Sequence, residues 1–191
     1  MTPGVSAAVR MLQFGQTQRY HTELLLKPQD VAQHSFNVAW LCWLLSDRDP
    51  SAQLIMMALA HDAGERWTGD LPSPTKRAAG LGDAFDALEA AQTAKVGWTA
   101  PPLSAIERKI LKLADVLDGA FYCLRELMLG NTMVLNAARG GAGINFLAMV
   151  EEQLRDIESP SVRTLADDLY DYLKEEYAAH DHRPRRLPFG E

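Results

Sequence analysis

Apolar residues recur at helical rather than strand spacing along most of the chain. Val31, Val38, Leu41, Leu44 and Leu45 form a stripe that predicts a helix over 31–47. The stretch 52–66 contains the apolar run Leu54–Ala60 and is too long for an ordinary strand. It predicts one buried helix, broken at Gly69–Pro74, with Pro72 and Pro74 as punctuation. A surface helix is predicted over 83–97 and a long amphipathic one over 104–130. Pro101 and Pro102 precede the latter, Ser104 stands at its N-cap with Glu107 at the capping-box offset, and Gly130 ends it. Gly140, Gly141 and Gly143 mark a turn. Helices over 144–157 and 161–179 complete the set, with Ser159-Pro160 as start chemistry between them. Strand alternation and internal repeats are lacking. The expected architecture is all-α, a helical bundle in one domain over 1–179 followed by a tail over 180–191. Phe36, Trp40 and Trp43 are assigned to its core.

A chain of 191 residues can bury a core without disulfide staples. Its longest apolar runs, Val38–Leu45 and Leu54–Ala60, fall well short of the ~18 residues a membrane span needs. The start of the chain lacks the basic-then-apolar pattern of a secretory signal. Cys42 and Cys123 both lie in apolar segments, which predicts buried free thiols and a reducing compartment, the cytoplasm. Lys and Arg number 19 against 25 Asp and Glu, a net charge of −6. That balance argues against a polymeric nucleic-acid partner, with Arg183, Arg185 and Arg186 the one basic cluster. A small phosphorylated ligand, held by a metal and a few cations, remains compatible with it.

Of the histidines, His180 and His182 fall in the tail and read as solvated, and His21 in a loop has no assigned role. His34 and His61 sit inside predicted buried helices. A lone helix histidine is usually a satisfied core residue, but His61 is followed at once by Asp62 after an apolar run. A buried carboxylate needs a strong partner, and a divalent cation is the simplest one. Glu65 is four residues after His61, which puts it on the same face of the predicted helix. Asp115, in Lys112-Leu113-Ala114-Asp115, brings a second acid within another apolar helix. His34, His61, Asp62 and Asp115 thus make a two-imidazole, two-carboxylate set. It suits Mn, Fe, Co, Zn or Mg, with positions left for water and substrate.

The ordered segments Gln18-Arg19-Tyr20, Val31-Ala32-Gln33-His34-Ser35, Ala60-His61-Asp62-Ala63-Gly64-Glu65, Thr68-Gly69-Asp70-Leu71-Pro72-Ser73-Pro74-Thr75-Lys76 and Lys112-Leu113-Ala114-Asp115 carry a resemblance. Over roughly residues 15 to 131 the chain resembles the HD-domain metal-dependent phosphohydrolases. It is most similar to the branch of bacterial 5′-deoxynucleotidases and phage deoxynucleotide phosphohydrolases. The resemblance implies the all-helical HD fold, with His34, His61, Asp62 and Asp115 as metal ligands. It further implies that Glu65 positions or activates the attacking water, that Asp70 stands near the reacting phosphate, and that Arg19 binds phosphate. Lys76 falls where the proline loop supplies another cation, and Tyr20 where relatives often carry tryptophan beside the sugar and base.

The implied reaction is hydrolysis at the α-phosphorus of a 2′-deoxynucleotide. Arg77 beside Lys76, with Arg66 and Arg19, offers more positive charge than a monophosphate needs. The expectation is therefore a dATP-type triphosphohydrolase, with a 5′-deoxynucleotidase acting on dNMPs as the alternative. A non-catalytic nucleotide-binding HD sensor or scaffold is the alternative of a different class. A homo-oligomer in the cytoplasm of a bacterium, or of a phage-infected one, is also expected. Plainer readings stand beside these: Arg19 as a surface partner of Glu23, Gly69–Pro74 as a mere turn, Tyr20 as a packing aromatic.

Overall fold

The structure, a computed structural model, describes residues 3–71, 76, 80–135 and 145–180. These form α1 (Pro3–Met11), a 3-10 turn (Phe14–Gln16), α2 (Val31–Leu45), α3 (Ala52–Ala60), α4 (Glu65–Thr68), α5 (Gly82–Lys95), α6 (Ala105–Met128), a second 3-10 turn (Thr132–Val134), α7 (Phe146–Arg155) and α8 (Pro160–His180). No strand occurs among the described residues. The one β-like contact is an isolated antiparallel bridge between Gln18 and Asp30.

Side-chain caps set the starts of the main helices. Asp30 accepts from the Gln33 N–H, Ser51 from Leu54, and Asn145 from Ala148. Ser104 and Glu107 form the expected capping box at the head of α6. Each such contact satisfies one of the amide donors left orphaned at a helix start, worth about 1 kcal/mol. α6 is the spine, packed against α2, α7 and α8. Leu113, Leu117 and Ala120 of α6 meet Val38, Cys42 and Leu45 of α2 and Leu173 and Tyr177 of α8 in one core. Gly119 lets α7 approach: a Cβ there would lie 2.3 Å from the Phe146 ring. Cys42 and Cys123 are buried and free, and burial pushes both thiols up to about 12, so they stay protonated.

Several expectations are corrected. Residues 52–66 do not form one helix. α3 stops at Ala60, and the amides of Ala63, Glu65, Arg66 and Trp67 bond three residues back before α4 closes. Gly64 sits in this tight segment against α5, where a Cβ would meet Glu89 Cβ at 2.2 Å. His61, Asp62 and Glu65 are therefore not joined as one helix face. Phe36, Trp40 and Trp43 are not core: Phe36 and Trp40 are 58% and 49% exposed, and Trp43 is partly buried. They form an edge-to-face ladder on the outside of α2. α1 and the 3-10 turn after it were not expected. His180 ends α8, its ring Nδ1 3.0 Å from the Glu176 carbonyl. The glycine turn 140–143, Pro72, Pro74, Arg77, His182 and the arginines at 183, 185 and 186 lie outside the described residues. No helix among the described residues is long and apolar enough to cross a membrane.

Candidate metal centre

The inward stripe of α2 includes a fully buried histidine, His34. Its Nδ1–H donates to Asp118 Oδ2 at 2.6 Å, which turns Nε2 toward the end of α3. There it meets His61 Nε2 at 3.1 Å, Asp62 Oδ2 at 3.3 Å and Asp115 Oδ1 at 3.4 Å. His61 Nδ1–H donates to the Ala58 carbonyl at 2.9 Å, so its Nε2 also faces the cluster, 3.4 Å from Asp62 Oδ1. Both residues stand in the tight turn that follows α3. The four residues singled out from sequence thus converge on one point. His34, His61 and Asp115 offer ligand atoms within 4.8 Å of one another.

The donor set fits a divalent cation. Two imidazole lone pairs and two carboxylates facing one another at these distances repel unless a positive charge lies among them. Each imidazole is fixed in the right tautomer by an acceptor behind it, as metal-binding histidines usually are. The protonation of the metal-free cluster tells the same story. Burial and the Arg19 charge act against protonation of His34, but hydrogen bonds to Asp115, Asp118 and Asp62 push it up to about 10. A proton there occupies the electrostatic place of a cation. Against burial, the charges of His61, His34 and Arg19 hold the Asp62 carboxyl below the usual carboxylate range. His34 and Lys112 do the same for Asp115.

Asp118 was not singled out from sequence. It accepts from His34 and from Gln29 Nε2 at 2.9 Å on one oxygen, and from Asn37 Nδ2 at 2.7 Å on the other. The signal was present: Asp118 lies one turn past Asp115 in the same apolar helix. Glu126, fully buried near the end of α6, was also missed. Its carboxylate accepts from the amides of Leu26 and Lys27, both at 2.7 Å, and from Asn131 Nδ2. It thereby pins the loop over 19–29 that the Gln18–Asp30 bridge closes just before α2.

That loop presents Arg19. The Arg19 N–H bonds the Gln29 carbonyl, and Arg19 Nη1 reaches Asp62 Oδ2 at 3.1 Å, so its partner is a cluster carboxylate and not Glu23. Tyr20 adopts φ 53°, and its N–H donates to Asp70 Oδ2 at 2.8 Å. Its ring stacks on Tyr122 at 5.0 Å and meets Phe146 edge-on. Glu65 is buried. Burial, with Asp62 and Asp70 nearby, pushes its carboxyl up to about 9. Lys76 Nζ lies 4.0 Å from Glu89 Oε1, and Arg66 donates to Gln13 on the surface. Among the described residues, Arg19 Nε and Glu65 Oε2 are buried polar atoms with no hydrogen-bond partner. Buried polar groups are rarely left so, and two flanking the cluster point to a ligand.

A cleft of about 680 Å³ opens over His61, Asp62 and Asp115, with Arg108 and Lys112 from α6 and Asp86 from α5 on its walls. A recess of about 310 Å³ shares His61 and Asp86 and continues toward Trp98.

Comparison with known proteins agrees with this architecture. The dATP triphosphohydrolase of Salmonella phage PMBT28 is 37% identical over 112 residues, 52% of this chain and 56% of that protein. The 5′-deoxynucleotidase YfbR of Salmonella paratyphi B is 32% identical over 129 residues, 56% of this chain and 65% of that protein. The chain therefore spans between 56% and 65% of the length of these relatives. In three dimensions the chain resembles the HD phosphohydrolase DatZ of cyanophage S-2L, solved with dA and one catalytic Zn²⁺. The TM-score is 0.61 at 19% identity, covering 87% of this chain and 96% of that one. PH0347 of Pyrococcus horikoshii OT3 superposes with a TM-score of 0.67 at 18% identity, covering 90% and 99%. These likenesses show the fold to be that of the HD phosphohydrolases. The profile of the YfbR-like 5′-deoxynucleotidases matches residues 8–173, nearly the whole described structure, and the chain belongs to that family.

Proposed function

We propose that this chain is a metal-dependent phosphohydrolase that cleaves the 5′ phosphate ester of 2′-deoxynucleotides at the α-phosphorus. Its proposed substrate is a deoxynucleoside triphosphate of the dATP type, released as deoxynucleoside and triphosphate. The observation that carries the reading is the convergence of the buried His34 with His61, Asp62 and Asp115 at the floor of a cleft, beside unpartnered polar atoms on Arg19 and Glu65. The phage relative favours the triphosphate. The family and the Salmonella nucleotidase favour the second reading, a 5′-deoxynucleotidase acting on dNMPs. A non-catalytic sensor would have no use for a buried Glu65 of raised pKa beside the cluster.

A divalent cation held by the four residues, whether Co, Mn, Zn, Fe or Mg, supplies Lewis-acid polarisation of a phosphate oxygen and lowers the pKa of water. Arg19 remains charged: burial opposes this, but the acids around it, Asp62 first among the carboxylates, hold its pKa above the ordinary value. Its free Nε–H can therefore orient a phosphate and offset charge on the equatorial oxygens. Hydrolysis adds a water's hydroxyl to phosphorus and a proton to the departing 5′ oxygen. Glu65, through Oε2, is the group proposed to move that proton. Asp70 acts beside it, in part by holding the Tyr20 amide. Lys76, with Arg77 and Arg66, stays a proposed source of charge for the substrate.

The test is to assay metal content, then incubate the loaded protein with all dNMPs, dNTPs and NTPs and separate the products. Tripolyphosphate and deoxynucleoside in one step support the first reading. Orthophosphate from dNMP alone supports the second. Metal binding with no turnover of any nucleotide sinks both. Cytoplasmic residence and self-association are proposed as well. The latter is supported by the exposed Phe36, Trp40, Met56 and Leu59 of α2 and α3, and is read out by light scattering.

A further inference from the structure

We propose that Arg108, with Lys112 one turn along α6, forms a subsite for phosphates beyond the one that reacts, so that the cleft selects a nucleoside polyphosphate over a monophosphate. The inference rests on the phosphohydrolase reading above and sharpens its substrate class.

Arg108, Lys112 and Asp115 follow one another at i, i+4 and i+7 and so share one face of α6. That stripe runs about 10 Å along the helix axis. One end is a cluster carboxylate and the other a guanidinium. All three line the same cleft with His61 and Asp62. Lys112 Nζ bonds Asp115 Oδ2 at 2.8 Å, and an ammonium has two further donors to give. Arg108 is exposed and gives one N–H to the Leu103 carbonyl. This holds the guanidinium at the rim and leaves its remaining donors open. Among the described residues no carboxylate pairs with it.

The other wall decides where an anionic chain can lie. Asp86 stands on the α5 side of the cleft, and Asp86 and Glu89 line the adjoining recess. A phosphate chain leaving the cluster is repelled there and attracted along α6. Arg19, on a separate loop, pairs with Asp62 at the cluster itself. One arginine thus serves the reacting phosphate, and the α6 pair serves what extends from it. Lys76, also a proposed source of charge for the substrate, lies 4.0 Å from Glu89 on the α5 side, where its charge is partly offset, and Glu89 also accepts from Thr68.

The experiment titrates dATP and dAMP calorimetrically into the metal-loaded Glu65→Gln protein, with Arg108 intact, Arg108→Ala or Arg108→Lys. Charge-assisted hydrogen bonds of this kind predict that Arg108→Ala weakens dATP about 10- to 100-fold, and dAMP by less than about 3-fold. Arg108→Lys should recover part of the loss. In the otherwise unaltered enzyme, the ratio of kcat/KM for dATP over dAMP should fall by a similar factor. Equal losses on the two ligands, or no loss on dATP, overturn the subsite and leave the phosphohydrolase reading intact. Weakened deoxyadenosine binding with dATP and dAMP equally affected would make the cleft a nucleoside pocket and likewise overturn it. If neither nucleotide binds with Arg108 intact, the phosphohydrolase reading itself falls, and the subsite with it.

Discussion

The Nδ1–H of His34 is given to Asp118 at 2.6 Å, and that contact decides which nitrogen of a fully buried ring faces the metal cluster. Asp118 in turn is held by Gln29 and Asn37, so the ring direction is set by an acid that touches nothing in the cleft. The arrangement removes the freedom of His34 to flip or change tautomer before a cation arrives.

Asp118→Ala is expected to weaken metal affinity about 10- to 100-fold, the usual range for a residue that orients a ligand. Asp118→Asn should lie between, since an amide oxygen can still accept from His34 but its NH₂ then opposes the Asn37 amide. Metal affinity from a competing chelator checks this. Unchanged affinity in both variants would show that packing alone orients His34.

Metal-free protein should lose stability as pH rises. His34 is pushed up to about 10 in the fold, so the stability it contributes is complete below its unfolded value, near 6.5, and is lost as pH rises through 10. Glu65, pushed up to about 9, adds a loss of the same sign from about pH 4.5 upward. Asp62 and Asp115 have depressed values, so their contribution is present above about pH 4 and is lost on acidification. The melting temperature of the metal-free form should therefore peak at about pH 4–4.5, where the Asp62 and Asp115 contribution is complete and the Glu65 loss has barely begun. It should fall more steeply above about pH 6.5 as the His34 loss is added, by about 2–4 °C for each kcal/mol lost. Bound metal replaces the His34 proton and should flatten the alkaline limb. Melting curves from about pH 3 to 10, with and without metal, decide it.

Glu65→Gln keeps the volume of a buried residue and removes its proton transfer. Turnover is expected to fall by about 10²–10⁴ while metal content and nucleotide affinity stay within a few-fold. The alkaline decline in melting temperature of the metal-free form should also soften, because the glutamine no longer resists ionisation. A variant with undiminished kcat removes Glu65 from the chemistry.

What was legible in the sequence follows physical lines. The head of α6 was, because Ser104 and Glu107 are local partners and need nothing else. The four cluster residues were, because imidazoles and acids in apolar stretches demand a reason. On α2 the stripe through Val31, Val38 and Leu45 is buried as its spacing predicts, but the aromatics Phe36, Trp40 and Trp43 were misassigned to the core. Phe36 and Trp40 point outward while the polar His34 and Ser35 point in, so side-chain hydrophobicity alone picks the wrong side for them. The break between α3 and α4 was hidden, since the close approach of Gly64 to Glu89 of α5 is a contact between distant segments that spacing cannot show. Arg108 reads as one more surface arginine until α6 is seen running along the cleft.

Tyr20 and Asp70 offer a test that separates chemistry from positioning. Tyr20 is a non-glycine residue in the left-handed region at φ 53°, a conformation that costs of order 1 kcal/mol and needs a holder. Asp70 Oδ2 supplies it by accepting the Tyr20 amide at 2.8 Å, and the ring is then clamped by Tyr122 and Phe146. If the ring beside Arg19 excludes a 2′-hydroxyl, Tyr20→Ala should narrow the preference for deoxy over ribo substrates. The scale is the ~1–3 kcal/mol cost of burying a hydroxyl unpaired, about 5- to 150-fold in kcat/KM ratio. Asp70→Ala releases the same backbone and should narrow it too. Asp70→Asn keeps an acceptor for the amide, so it should retain selectivity whatever it does to rate. If Asn costs as much turnover as Ala while selectivity survives only in Asn, Asp70 serves the reaction through its charge and Tyr20 through its geometry. If selectivity is untouched in all three variants, the discrimination between sugars lies elsewhere in the site.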